Sequence, residues 1–272
     1  MKISIIIPTY KPGPYLKDCL ESINNQTMNK KCFEVIIVLN GVIKPYIECI
    51  YNLTKMYDFN SVVIPTETPG VSNARNIGLT RAQGEYVCFI DDDDKISPSY
   101  LENLYYKATP NNIVASNVKA FYNNSNKTEN DYIASAYEKL ANKNAPLSVL
   151  KGRKFMSSAC CKIISQKSIQ DTRFDTNLKI GEDSVFMAEI SKNVRNIILS
   201  DKNAIYYRRL RVGSASRTKL TILQKSHIVC ELQKRYIKML TSPYNIPFIA
   251  TRIVATLMKF IRKWQVRHLF YF

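Results

Sequence analysis

The chain has 272 residues, 46% hydrophobic and 22% charged, enough to bury a core and too apolar for a disordered chain. Its formal net charge of +17 is uneven: Ile205 to Phe272 holds 14 basic residues and one acid, Glu231, leaving 25 basic and 21 acidic residues before it. Seven scattered cysteines without a C-x-x-C pair argue for reduced thiols over a disulfide frame, and two histidines, His227 and His268, argue against His-based zinc sites and Ser-His-Asp triads.

In chain order, Ile3 to Ile7 is a short apolar run ended by Pro8 with no small-residue cleavage site after it, a buried strand and not a signal peptide. Tyr15 to Asn25 carries Leu16, Leu20 and Ile23 at helical spacing. Val35 to Leu39 is a second buried strand, ended by Asn40-Gly41; a helix through Ile47, Ile50, Leu53 and Met56 precedes a strand at Val62 to Ile64. Ser72 to Ala82 is helical and Tyr86 to Ile90 a fourth strand. Ser97-Pro98 is an N-cap and first-turn pair for a helix through Leu101 and Leu104, and Ile113 to Val118 a fifth strand. Phe121 to Asn144 is polar, Asn-rich and weakly periodic, and reads as a loop. Cys160 to Ile164 and Ile197 to Tyr207 read as strands around a helix at Ser184 to Ser191, and the pattern is helical from Lys219. Strand and helix alternating in this rhythm predict an α/β fold with a mostly parallel central sheet flanked by helices and a helical C-terminal extension.

The densest chemistry is Asp91-Asp92-Asp93-Asp94, directly after the fourth strand. Four adjacent carboxylates repel one another. Such a run can be an exposed acidic turn, but ligands of open α/β sheets bind outside the carboxyl ends of the strands, where these residues fall. Hard oxygen ligands there suit Mg²⁺ or Mn²⁺ shared with a phosphate.

Upstream lie Gly70-Val71-Ser72-Asn73-Ala74-Arg75-Asn76-Ile77-Gly78 and Gly84-Glu85-Tyr86; downstream lies Gly181-Glu182-Asp183. With the opening Pro8-Thr9-Tyr10, this series resembles the family-2 inverting glycosyltransferases of GT-A (Rossmann-like) fold over roughly residues 1 to 215. The resemblance implies a nucleotide-binding part at about 1–120, an acceptor part at about 145–215 and a basic amphipathic extension at 216–272.

It also implies roles. The family's Asp-x-Asp pair falls on Asp91 and Asp93, which would hold Mn²⁺ or Mg²⁺ against the donor diphosphate, Asp93 directly and Asp91 near the ribose or a metal-bound water. Pro8, Thr9, Tyr10, Asn40, Arg75, Asp92, Arg211 and Ser214 would contact the nucleotide sugar, with Asn40 at the position where many relatives carry an acid that reads the base. Asp183, beside Glu182, would take the acceptor hydroxyl proton. Asp94 would tune the loop or cap the helix near Ser97. The expected activity is a metal-dependent hexosyl or N-acetylhexosaminyl transfer from a UDP-linked donor to a lipid-linked glycan of an envelope polysaccharide such as O-antigen or capsule. A metal-dependent nucleotidyltransferase and a non-catalytic membrane scaffold of the same fold are the alternatives. No G-x-G-x-x-G or Walker A sequence supports dehydrogenase or P-loop chemistry.

In the tail, Ile253, Val254, Leu257, Phe260, Ile261 and Trp264 share a helical face, opposite Arg252, Lys259, Lys263 and Arg267. A basic amphipathic helix with aromatic residues predicts peripheral binding to an anionic membrane surface, with packing on its own domain as the alternative and no nucleic-acid partner. The expected location is the cytoplasm, on the inner face of the membrane.

Overall fold

The computed structural model describes residues 1–122, 125–129, 131–141, 145–211, 220–241 and 243–268. Four strands, β1 (Ile3–Thr9), β2 (Phe33–Asn40), β3 (Asn60–Thr66) and β4 (Tyr86–Phe89), pair in parallel in the order β3-β2-β1-β4. The side chains of β1, β2 and β4 are buried throughout, as their unbroken apolar runs require of a sheet covered on both faces. Helices α1 (Tyr15–Asn24), α2 (Tyr46–Thr54) and α3 (Val71–Arg81) make the crossovers. The parallel α/β half expected from the sequence is therefore present.

Beyond α4 (Tyr100–Tyr106) the expectations need correction. The predicted fifth strand is two, β6 (Asn112–Ala115) and β7 (Asn117–Tyr122), in different sheets. The chain crosses between them at Ser116, whose N–H and hydroxyl both donate to the Cys161 carbonyl, at 2.9 and 3.1 Å. The predicted strand at Ile197 to Tyr207 divides likewise into β11 (Asn196–Leu199) and β12 (Ile205–Arg209). Residues 121–144, expected as a loop, contain β8 (Ser125–Glu129) and α5 (Tyr132–Ala141), which buries Ile133, Ala136 and Tyr137 at helical spacing. Its first turn is capped by the Asp131 carboxylate, which accepts from Ile133 N at 2.7 Å.

The main sheet continues from β4 through β10 (Lys162–Ser165), β6 and β11 to β9 (Leu147–Ser148); β10 is antiparallel to both neighbours. A second sheet has the order β5-β12-β7-β8, with β5 at Lys95–Ile96. Ser97 does not cap α4. Its hydroxyl donates to Asn203 O and accepts from Ile205 N, tying β5 to β12, and Ser99 takes the cap position.

Past the short helix α6 (Gln166–Ile169) come α7 (Glu182–Ile190), α8 (Ile222–Lys238) and α9 (Ile246–His268). Leu232, Tyr236, Met239, Phe248 and Ile249 bury fully, so the start of the tail packs on the domain. No helix among the described residues is long and apolar enough to cross a membrane.

Candidate active site

The cleft lies at the carboxyl edge of β1, β2 and β4, and its geometry comes from small residues and amides in α3. Ala74 and Gly78 place that helix against β1: a Cβ on Gly78 would come within 2.4 Å of the Ile6 side chain. Asn76 clamps the Phe174 peptide, donating to its carbonyl at 2.9 Å and accepting from its N–H at 2.8 Å. The Phe174 ring stacks on Phe186 at 4.0 Å and carries the Arg75 guanidinium, 5.3 Å from its centroid. One helical motif thus joins the parallel half of the fold to the segment that bears the second acid pair.

Arg75 is 4% exposed and projects between the two carboxylate groups. Nη1 donates to Asp183 Oδ1 at 2.6 Å and lies 3.6 Å from Glu182 Oε1, while Nη2 donates to Asp91 Oδ1 at 3.1 Å. Burial works against its charge, but Asp183 and Asp91 more than offset this and raise its pKa. The fork that the sequence predicts to reach the nucleotide or a phosphate is held by carboxylates in this structure.

Asp183 also accepts from Ser158 Oγ at 3.2 Å and Ala159 N at 3.0 Å. No sequence motif marks these two donors. Glu182, at the first turn of α7, has its carboxyl pushed up to about 7 by burial and by the charge of Asp183, against the pull of Arg75. Both acids follow Gly181, which is left-handed at φ +90°; a Cβ there would come within 2.8 Å of Leu232 in α8. Tyr236 of the same helix shares a 2.8 Å hydrogen bond with Ser184. The C-terminal helices therefore buttress the acid turn.

Each aspartate of the cluster is held differently. Asp91 has a side chain 43% exposed, and its N–H donates to the Tyr206 hydroxyl at 3.2 Å. The Thr9 hydroxyl donates to Asp92, whose carboxyl burial pushes up to about 6, Asp93 and Asp91 adding to the rise. Asp93 pairs with Arg211 Nε at 2.5 Å, and burial raises its pKa. Asp94 is 3% exposed and accepts from Arg209 N at 2.7 Å; burial raises its pKa strongly, and it locks β12 to the loop instead of capping α4.

The motif points to Arg211, but Arg209, two residues earlier in the same basic run, is the buried arginine. Arg209 donates to the Asp93 carbonyl at 2.6 Å, pairs with Asp18 at 2.8 Å and lies between the rings of Tyr15 and Phe121.

Pro8 and Thr9 close β1 and are buried, while Tyr10 is 51% exposed, its ring against Gly41, which is left-handed at φ +83°. Asn40 is 4% exposed: its amide donates to Thr9 O at 2.8 Å and accepts from Gly70 N at 2.9 Å. It binds the main chain of both loops at the position where the sequence predicts a base contact. Ser214 lies outside the described residues.

Among the described residues no group of three acidic, His or Cys side chains forms a metal cage. The carboxylates of Asp91 and Asp93 nonetheless fit Mg²⁺ or Mn²⁺, which bind through one or two carboxylates and take further oxygens from a phosphate ligand. The Arg211 guanidinium now supplies the positive charge beside Asp93.

An open sheet with strand-end aspartates on one side of its cleft and an acid pair at a helix start on the other defines the GT-A class of α/β folds. Residues 4–173 match the model of Glycosyl transferase family 2, and the chain belongs to that family. It is 32% identical over 228 residues to the glycosyltransferase GlyA of Streptococcus pneumoniae, covering 79% of this chain and 32% of that protein. It is 30% identical over 220 residues to the minor teichoic acid biosynthesis protein GgaB of Bacillus subtilis, covering 78% of this chain and 23% of that protein. It thus spans a third or less of these relatives' lengths. The crystal structure of S. aureus TarS 1-349 with UDP-GlcNAc superposes with a TM-score of 0.76 at 22% identity, over 94% of this chain and 72% of that one, and shows the shared fold.

Proposed function

We propose that the protein is a metal-dependent inverting glycosyltransferase that moves a hexosyl or N-acetylhexosaminyl group from a UDP-linked donor to a hydroxyl of a lipid-linked envelope glycan. The observation that carries the reading is the Arg75 bridge, which sets Asp91 of the donor side and Asp183 of the acceptor side one guanidinium apart. GlyA, named a glycosyltransferase, and GgaB, named for minor teichoic acid biosynthesis, support it, as does the UDP-GlcNAc bound in the TarS crystal structure.

The donor diphosphate enters beside Asp91 and Asp93, and Arg211 turns from Asp93 to the phosphates. Asp91 and Asp93 would hold a divalent ion there, whose charge would offset that growing on the leaving diphosphate. Tyr10, half exposed with the Lys11 ammonium over its ring, contacts the base, and Asn40 holds the loops around it. Asp183, oriented by Arg75, Ser158 and Ala159, receives the acceptor hydroxyl proton as that oxygen attacks the anomeric carbon from the face opposite the leaving group. A single displacement of this kind inverts an α-linked donor to a β-linkage.

We assign residues 1–215 to the transferase unit and 216–272 to its extension. Val254, Leu257, Met258 and Ile261 of α9 are each 42–52% exposed at i, i+3, i+4 and i+7, and this stripe would rest on an anionic membrane holding the acceptor. Calorimetric screening of nucleotide sugars with and without Mn²⁺ tests the reading: metal-dependent binding of one UDP-sugar supports it, and binding of none refutes it.

A further inference from the structure

Five arginines are buried or half-buried among the described residues: Arg75, Arg208, Arg209, Arg235 and Arg252. Four of them pair with carboxylates, Arg75 with Asp183 and Asp91, Arg208 with Asp131, Arg209 with Asp18, and Arg235 with Asp175 and Glu231. Arg252 pairs with none. Its Nη2 donates to the Arg153 carbonyl at 2.9 Å, its guanidinium lies 5.1 Å from the Phe248 ring centroid, and its buried Nε has no partner. Burial weakens its hold on the proton, the phenols of Tyr236 and Tyr132 partly offset this, and the guanidinium of Arg153 adds repulsion. A cation withdrawn from water without a counter-charge is costly unless an anion joins it.

Its place in the fold says where such an anion would lie. The Arg153 segment runs directly into Ser157 and Ser158; Ser157 bonds the Tyr132 hydroxyl at 2.8 Å and Ser158 donates to Asp183. On the other side Tyr236 bonds Ser184, the residue after Asp183. Arg252 is therefore tied through the Arg153 segment to one flank of Asp183 on the acceptor side, and Tyr236, close enough to act on its charge, holds the other flank. Lys151, Arg153 and Lys154 are exposed on the same segment and extend the positive field.

We propose that Arg252 and Arg153 form a subsite for a phosphate ester carried by the acceptor, at a fixed offset from the hydroxyl presented to Asp183. A planar guanidinium with unused donors matches phosphate oxygens. The proposal rests on the glycosyltransferase reading and specifies the acceptor. The phosphate belongs either to the diphosphate of a lipid carrier or to the phosphodiester backbone of a polymer.

The test is calorimetry with a soluble oligo(glycerol phosphate), a short-chain prenyl diphosphate and, separately, UDP with Mn²⁺. Wild-type protein is expected to bind at least one phosphate probe, and the tighter one names the source. Arg252→Met is expected to weaken that probe about tenfold, with UDP affinity unchanged. The exposed Arg153→Ala, which does not depend on tolerance of the interior, is expected to weaken it about threefold. UDP binding with no phosphate-probe binding, or equal probe affinities in wild type and both variants, overturns the subsite alone. Absence of UDP binding overturns the transferase reading and the subsite with it.

Discussion

Arg75 and Asp183 lie 108 residues apart in sequence and are joined by a 2.6 Å hydrogen bond at the centre of the cleft. The other arm of the same guanidinium holds Asp91, so one buried cation sets the spacing between Asp91 and Asp183. Arg75→Met leaves Asp183, Glu182 and Asp91 facing one another without a counter-charge. Urea unfolding should show a loss of about 3 kcal/mol, the usual effect of removing one partner of a buried ion pair. Arg75→Lys keeps the charge but not the fork, and should keep most of the stability while transfer falls about a hundredfold through misplaced carboxylates.

Glu182 makes stability depend on pH. Its carboxyl titrates near 7 in the folded protein against 4.5 when free, so the folded state holds the proton more tightly. The stability this provides is complete below the free value and is lost as pH rises through 7. Unfolding titrations across that window should show wild type losing more stability than Glu182→Gln. Parallel curves would remove Glu182 as the cause.

Gly181 sets both acids at the start of α7 from a left-handed backbone that α8 closes over. Gly181→Ala adds strain at φ +90° and pushes a methyl into Leu232. A loss of about 2 kcal/mol is expected in denaturant unfolding, with transfer falling in step as the acid turn shifts.

The parallel half of the fold was legible because buried strands leave unbroken apolar runs, and β1, β2 and β4 carry them. The second half was not, since β6 and β7 follow one another with only Ser116 between them and read as one strand, although the chain changes sheets there, which periodicity cannot register. Asn-rich composition around α5 hid the helical spacing of Ile133, Ala136 and Tyr137. Motif spacing names Arg75, the aspartates and Glu182-Asp183 as candidates, and the fold gathers Asp91, Glu182 and Asp183 around Arg75. Spacing could not foresee that Arg75 faces acids, that Asn40 binds main chain, or that Arg209 outranks Arg211 in burial, because each depends on a partner distant in sequence.

The α9 surface offers a separate test. Of the expected apolar face, Ile253 packs against the core while Val254, Leu257 and Ile261 stay open, joined there by Met258; just before it, Phe248 and Ile249 pack on the domain. Leu257→Glu with Ile261→Glu should reduce co-sedimentation with phosphatidylglycerol vesicles about tenfold. Thermal unfolding should stay unchanged, because both side chains are exposed. Vesicle binding equal to wild type would leave the stripe without this role.

The central claim is that strand-end carboxylates hold a divalent ion against the donor diphosphate. Titration of UDP into wild-type protein and Asp93→Asn, each with Mn²⁺ and with EDTA, tests it most directly. Wild type should bind about tenfold or more tightly with Mn²⁺ than with EDTA, and Asp93→Asn should lose that difference. Equal wild-type affinities in both conditions, or an Asp93→Asn protein that keeps the full Mn²⁺ effect, would contradict the account.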